Sequence, residues 1–297
     1  MKLIDALPTT KYINALRHST SDLFQKNKKN AINRVRQMYA DPITSKKVSP
    51  GIWFGGGKDS LALSIVVALS GIEATHLSLD NGGDVYGHGQ IFTEWRKFYK
   101  DKWGSLPKHK VYKTEKRYPY IIKDFLEWGK VYGYEDLNFW NWGQLSEAII
   151  YEAIEKFDGE YMTDKNVLFL WGNRAGEGQE RAFEISKKGI FQKISQDNAL
   201  EMPYLRGLPI GDWKDIDVWA LLIEQNCPIS PIYSYNSIHQ KKGNRAYPRT
   251  LWYCSPDVLC SQFYRWLAMY SPVQLTELCT LFPEIPERLN KSENILD

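Results

Sequence analysis

Cysteine is scarce in this chain. Four residues in 297, at 227, 254, 260 and 279, form no C-x-x-C pair, so neither a disulfide framework nor the ligand spacing of a zinc or dithiol site is expected, and the thiols should be reduced. No apolar run approaches the ~20 residues that span a bilayer. Asp5 interrupts the N-terminal stretch where a secretory signal would be apolar. These two absences predict a cytoplasmic protein with no membrane partner. An excess of one charge is also missing: 38 basic and 35 acidic residues leave +3, which gives no support to a nucleic-acid partner beyond what a local basic groove would supply. The five histidines, at 18, 76, 88, 109 and 239, show no metal spacing, and no G-x-S-x-G elbow occurs. Both the H-E-x-x-H metalloprotease and the serine-hydrolase signatures are thereby absent.

What is present suffices for one large core, or one core with a smaller module, at 43% hydrophobic and 14% aromatic content. Residues 1–47 carry helical spacing, as in Ala31-Ile32-Asn33-Arg34-Val35-Arg36-Gln37-Met38, before the turn-forming Asp41-Pro42, and form a helical lead-in. Ile52-Trp53-Phe54 is a short buried strand, followed by three glycines and the apolar helix 61–69, with Gly71 as its C-cap. A second strand, 74–80, a turn at Asn81-Gly82-Gly83, a helix around 91–103 and a strand at Val111-Tyr112 continue the alternation. Helical patterns near 119–128 and 143–157 lead to the strand 167–171, wholly apolar and ended by Gly172. The pattern over 48–230 predicts a doubly wound, mainly parallel α/β domain. In residues 231–297 the alternation gives way to a basic loop and helices near 256–269 and 272–282, a helical C-terminal module.

A strand that ends in glycines and opens a helix brings backbone N–H groups and the positive helix terminus to one point, which suits an oxyanion such as phosphate. The segment Gly55-Gly56-Gly57-Lys58-Asp59-Ser60 has this form and adds a cation at Lys58. It is no Walker A loop, because Asp59 rather than Ser or Thr follows Gly-Lys, and no G-x-G-x-x-G, because position 60 is Ser. It resembles the S-G-G-x-D-S signature of PP-loop ATP pyrophosphatases, in the branch of phosphoadenosine phosphosulfate (PAPS) reductases and the ATP sulfurylase small subunit. Gly55 stands where that signature has Ser, so one hydroxyl contact to phosphate is missing.

Three further segments extend the resemblance over about residues 50–235. Asp80-Asn81-Gly82 is similar to the family's D-T-G, where the chain passes the adenosine. Gly172-Asn173-Arg174 through Arg181 is similar to G-x-R-x-x-E-S-x-x-R, and Pro209 through Trp219 to P-x-x-x-W-x-x-x-D-V-W. The resemblance implies an adenine nucleotide alpha hydrolase-like fold, ATP or a related nucleotide such as PAPS as ligand, Mg²⁺, and Ser60 as a phosphate ligand.

By position, Asp80 at a strand end is suited to ribose hydroxyls or adenine, and Asp59 beside the phosphates to Mg²⁺. Arg174 follows a buried strand, at the edge where open α/β sheets bind ligands. Arg181, seven residues on, would share its face if the intervening stretch were helical, and both could then meet one anion. Solvated partners of Glu177 and Glu180 are the alternative for that pair. The Trp213 to Trp219 segment reads as a packed helix with Asp212 as N-cap. Phe139-Trp140-Asn141-Trp142 reads as core, with base stacking as the alternative. The loop 241–249, with Lys241, Lys242, Arg245 and Arg249, fits either a flap over an anion or a solvated surface.

The chemistry expected from this set is cleavage of ATP to AMP and pyrophosphate with adenylylation of an unknown acceptor, carried by Lys58, Asp59 and Arg174. A sulfonucleotide reductase would attack through a cysteine near the chain end in an E-C-G context; Cys279, in Glu277-Leu278-Cys279-Thr280-Leu281, reads instead as a core residue. No cysteine nucleophile is therefore expected, and no iron–sulfur cluster, since the four cysteines include no close C-x-x-C pair; convergence of Cys254 and Cys260 in the fold is the alternative. Adenylyl sulfate synthesis would need a second protein subunit, a GTPase. Sulfur transfer to nucleic acid and a non-catalytic nucleotide sensor are the competing readings.

Overall fold

The computed structural model describes residues 7, 9–80, 89–113, 166–194, 204–233, 268 and 271–281. Two helices come first, α1 (Thr9–Ser19) and α2 (Asp22–Ala40). The hydroxyl of Ser21 caps α2 by accepting the Phe24 N–H at 3.3 Å. Then follow β1 (Gly51–Trp53), α3 (Lys58–Ser70), β2 (Thr75–Asp80), α4 (Gln90–Trp103), β3 (Lys108–Lys113) and β4 (Leu168–Leu170). After β4 come a 3₁₀ turn (Ala175–Glu177), α5 (Gln179–Lys188), β5 (Phe191–Ile194), β6 (Tyr204–Gly207), α6 (Asp215–Gln225) and α7 (Pro272–Leu281).

The strands form one six-stranded sheet in the order β3-β2-β1-β4-β6-β5. All pair in parallel except β5, an antiparallel edge strand on β6. This is the α/β, mainly parallel architecture read from the sequence. The chain starts at β1, moves outward through β2 and β3, and returns to place β4 on the other side of β1. The order therefore reverses between β1 and β4, the topological switch point beside which such sheets bind ligands at their C-terminal ends.

The central strands are buried on both faces. Ile52, Leu168, Leu170 and Leu205 share the main core with α1, α2, α3, α4 and α6, while Leu77, Val167 and Phe169 anchor a second cluster that includes Trp53, Trp171 and Tyr204. On that second face Arg206 of β6 bonds Glu184 of α5 through two contacts of 3.0 Å and lies over the Trp171 ring. Helix α3 is buried on nearly every side from Leu61 to Val67, which explains its unbroken apolar sequence, and it ends at Gly71 in the left-handed region with φ 77°. The lead-in is a layer of the same core: Ala15, Phe24, Ala31, Val35 and Met38 are all buried in it. A Cβ at Gly207 would lie 2.7 Å from a Leu170 methyl and 2.8 Å from the Met38 sulfur, so α2 seats on the sheet where β6 has no side chain. Among the described residues no helix is long and apolar enough to cross a membrane.

Two expectations need correction. Asp212 does not cap α6, because its carboxylate is held by Arg34 at 2.5 and 2.7 Å. The turns Gly211 N–H to Leu208 and Trp213 N–H to Ile210 delay the helix, and Lys214 is its N-cap, with its N–H donated to Asp217 at 2.8 Å. Strands β5 and β6 were not anticipated, being four residues each with charged and apolar residues mixed. The expected turn 81–83, the helices 119–128 and 143–157, the helix 256–269 apart from residue 268, the aromatic segment 139–142, the loop 241–249, and Cys254, Cys260, His88 and His239 lie outside the described residues.

A ring cluster joins β2, β3 and α4. The Lys108 carbonyl can only accept, so His76 Nδ1 carries the proton toward it at 3.3 Å and Nε2 accepts from the Ser64 hydroxyl at 2.8 Å. The Trp95 N–H in turn donates to Ser64 at 3.2 Å. Burial lowers the His76 pKa to about 3, helped by His109 against the carbonyl bond, and burial with the nearby Arg96 charge lowers His109 to about 4. Both rings are neutral in the folded protein, yet in the unfolded chain each protonates near the ordinary value of 6.5. Stability is therefore full above that value and falls with pH, by up to ~1.4 kcal/mol per pH unit for each ring. The loss continues down to about 4 for His109 and about 3 for His76. Urea midpoints should drop between about pH 7 and about pH 5; equal midpoints would contradict the neutral pair.

Candidate functional site

The loop leaving β1 turns sharply at Gly56, whose φ of 68° favours glycine, and delivers Gly57 as the N-cap of α3. This is the strand, glycine loop, helix unit read from the sequence, and it lies beside the switch point. Gly172, which follows Trp171 at the end of β4, touches the first turn of α3: a Cβ there would sit 3.0 Å from the Asp59 carbonyl and 3.2 Å from the Ser60 nitrogen. The two loops leaving the central strands are thus in backbone contact.

That contact brings Lys58, Asp59 and Arg174 together. Arg174 Nε donates to Asp59 at 2.7 Å and Nη1 to the Trp213 carbonyl at 3.3 Å, while Lys58 Nζ bonds the Asp59 carboxylate at 2.8 and 3.0 Å. Arg174 is 2% exposed, almost fully removed from water. Its own N–H is accepted by Glu177 at 2.9 Å. Ser60 lies in the first turn of α3, where its hydroxyl donates to Gly57 O at 2.9 Å. Asp80 ends β2, one strand away from β1, and Asn81 and Gly82 lie outside the described residues.

Arg181 does not join this group. Gly178 separates the 3₁₀ turn from α5, so the stretch from Arg174 is not one helix, and Arg181 pairs with Glu177 on the surface with 46% of its side chain exposed. The two guanidinium groups hold different carboxylates, Asp59 and Glu177.

Three residues at the centre of the network were missed by the sequence reading. Asp215, the first residue of α6, receives Lys58 at 3.1 Å, Lys11 of α1 at 2.8 Å and the Trp219 indole N–H at 3.1 Å, with Arg174 at 3.7 Å. Burial alone would raise its pKa, but the Lys58 and Lys11 ammonium groups outweigh that and hold it at about 2. Tyr233 places its hydroxyl oxygen 2.8 Å from the Lys58 backbone N–H, at the helix terminus where an anion would bind. Burial, reinforced by Asp59 and Asp215, pushes the phenol pKa up, so it stays a neutral hydroxyl. The signal available for Asp215 was an acidic residue opening a helix, which reads as a dipole partner; for Lys11 and Tyr233 there was none.

Beside the network, α1 and α6 flank an open cleft of about 450 Å³ lined by Thr10, Lys11, Asn14, Asp215 and Trp219. The arrangement can bind an anion, since three cations face two carboxylates, and it can hold a divalent ion only with help. Among the described residues no three His, Cys, Asp or Glu side chains gather as a metal site. Mg²⁺ commonly takes one or two carboxylates and completes its shell with phosphate oxygens and water, so Asp59 and Asp215 fit it in company with a nucleotide.

No family model and no curated protein matches this sequence. Among solved structures the chain is similar to the U34-tRNA thiolase NcsA from Methanococcus maripaludis with its 4Fe–4S cluster, at 12% identity, covering 92% of this chain and 80% of that one, with a TM-score of 0.47.

The loop-to-loop contact yields a paired test. Gly172→Ala should drive a methyl into the Asp59 carbonyl and lower stability by about 1–3 kcal/mol. Gly178→Ala, at an extended φ of 171° with nothing within 4 Å, should not. Equal melting temperatures for the two variants would show that the loops separate readily.

Proposed function

We propose that this protein is an adenine-nucleotide-binding PP-loop enzyme that cleaves ATP between its α and β phosphates, releasing pyrophosphate and adenylylating an acceptor. The observation that carries this reading is the convergence of Lys58, Asp59 and Arg174 at the switch point, on a glycine loop that opens a buried helix. In this reading the N–H groups of residues 56–60 and the positive end of α3 face the phosphates. Lys58 and Arg174 offset charge developing on the leaving pyrophosphate, and Asp59 would hold Mg²⁺, which would supply further neutralisation of phosphate charge. Asp80, on the β2 side, is assigned to the nucleoside. Gly55 departs from the PP-loop pattern without steric cause, since a Cβ there would have nothing within 4 Å.

Adenylyl transfer is preferred over sulfonucleotide reduction because both described thiols are poor thiolates. Burial pushes the Cys227 pKa far up, with its S–H donated to the Pro228 carbonyl at 3.3 Å, and burial raises Cys279 as well. A second reading, a nucleotide sensor without turnover, is favoured by the missing hydroxyl at Gly55. Incubation with labelled ATP, Mg²⁺ and candidate acceptors separates the two: pyrophosphate with an adenylylated acceptor, or with AMP once that adenylate is displaced, identifies the enzyme, and tight binding without products identifies the sensor.

Lys58→Ala should weaken ATP binding by about 1–3 kcal/mol, the scale of a charge-assisted hydrogen bond. Calorimetric titration that returns the parental affinity would remove Lys58, and with it the loop, from the phosphate site.

A further inference from the structure

The geometry points to a terminal-phosphate subsite built by the N-terminal helix: Lys11 of α1, together with Lys58, is placed to hold the outer phosphates of a nucleoside triphosphate, or pyrophosphate itself. This rests on the nucleotide reading above and names the part of the ligand that the cleft between α1 and α6 receives.

Asp215 marks the position. Its Oδ1 lies 3.1 Å from Lys58 Nζ and its Oδ2 2.8 Å from Lys11 Nζ. One planar two-oxygen anion therefore already bridges the two ammonium groups. A phosphate presents oxygens in a comparable arrangement, which is why the same side chains recognise both. Lys11 is held from behind as well, 5.7 Å from the Trp219 ring, whose indole N–H fixes the same carboxylate. The pair is accessible, with the Lys11 and Asp215 side chains 47% and 43% exposed on the cleft they line with Thr10 and Asn14.

Topology decides which part of a nucleotide reaches this place. Asp80 ends β2, on one side of β1, whereas α6 follows β6, two strands to the other side. A nucleotide with its nucleoside on the β2 side and its phosphates along residues 56–60 directs the outer ones to Lys58 and, through the carboxylate the two lysines share, toward Lys11. A monophosphate ends before it. Lys58, Arg174 and Lys11 outnumber the Asp59 and Asp215 carboxylates they share, and Glu177, which accepts the Arg174 N–H, is offset by Arg181, so the cluster carries an excess positive charge suited to a polyanion. Mg²⁺ on the two carboxylates would free all three cations for phosphate.

Titration calorimetry of the full chain with Mg²⁺–ATP, pyrophosphate and AMP tests the subsite. Lys11→Ala and Lys11→Gln should weaken ATP and pyrophosphate about tenfold or more, leave AMP unchanged, and keep the parental melting temperature, while Lys11→Arg restores most of the loss. Parental affinity for ATP and pyrophosphate in Lys11→Ala would overturn the subsite while leaving the nucleotide reading standing. An equal loss for AMP would also overturn it, since Lys11 would then act on the whole site. Pyrophosphate binding that depends on Lys11, in a protein that binds no adenine nucleotide, would support the subsite and sink the nucleotide reading.

Discussion

The close approach of the loops leaving β1 and β4 is the constraint on which the rest of the site depends. Because Gly172 has no side chain, the backbone after β4 lies against the first turn of α3, and the next residues carry Arg174 to Asp59. A wider gap would leave Arg174 buried without its carboxylate, a costly state for a guanidinium almost fully removed from water. The register of the central strands, the glycine and the ion pair are therefore one arrangement. Trp53 and Trp171, stacked at 5.5 Å on the other face of the sheet, fix the same strand ends from below.

Around that contact the charges are mutually satisfied. Lys58, Arg174 and Lys11 share Asp59 and Asp215, and the Tyr233 oxygen takes the Lys58 N–H that a phosphate would otherwise accept. Such a network keeps its side chains ordered, because each group would carry a desolvation cost if its partner left. It also means that a ligand competes with internal partners at every contact, so affinity reports a difference between two sets of hydrogen bonds rather than a sum of new ones.

Much of the fold was legible because its signals are local. The helix 61–69 and its Gly71 cap, the strands at 74–80 and 167–171, and the helix around 91–103 follow from apolar runs and glycine positions, and the structure places elements at each. Strands β5 and β6 were illegible because Leu205 is their one fully buried apolar residue, and the rest of their stability comes from pairing across the sheet and from Arg206 with Glu184. The same division holds for the site. Lys58, Asp59 and Arg174 could be read because loop and strand end are written in adjacent residues. Asp215, Lys11 and Tyr233 join from 156, 47 and 175 positions away from Asp59, Lys58 and Lys58 respectively, and no local pattern encodes such meetings. The seven-residue spacing of Arg174 and Arg181 misled for the opposite reason: it assumed a continuous helix that Gly178 interrupts.

The network also bears on how metal and nucleotide would enter. With Asp59 and Asp215 both paired to cations, a divalent ion arriving alone must displace ammonium and guanidinium groups that then lack partners. A nucleotide arriving alone meets two carboxylates of its own sign. Together they exchange partners without leaving a buried charge unpaired: carboxylate to metal, cation to phosphate, metal to phosphate. On the proposed reading the two ligands therefore bind with positive coupling, and linkage requires each to raise the affinity of the other by the same factor. Asp215, held at about 2 by Lys58 and Lys11 against the pull of burial, stays ionised at neutral pH and is available for that exchange without a proton first being removed.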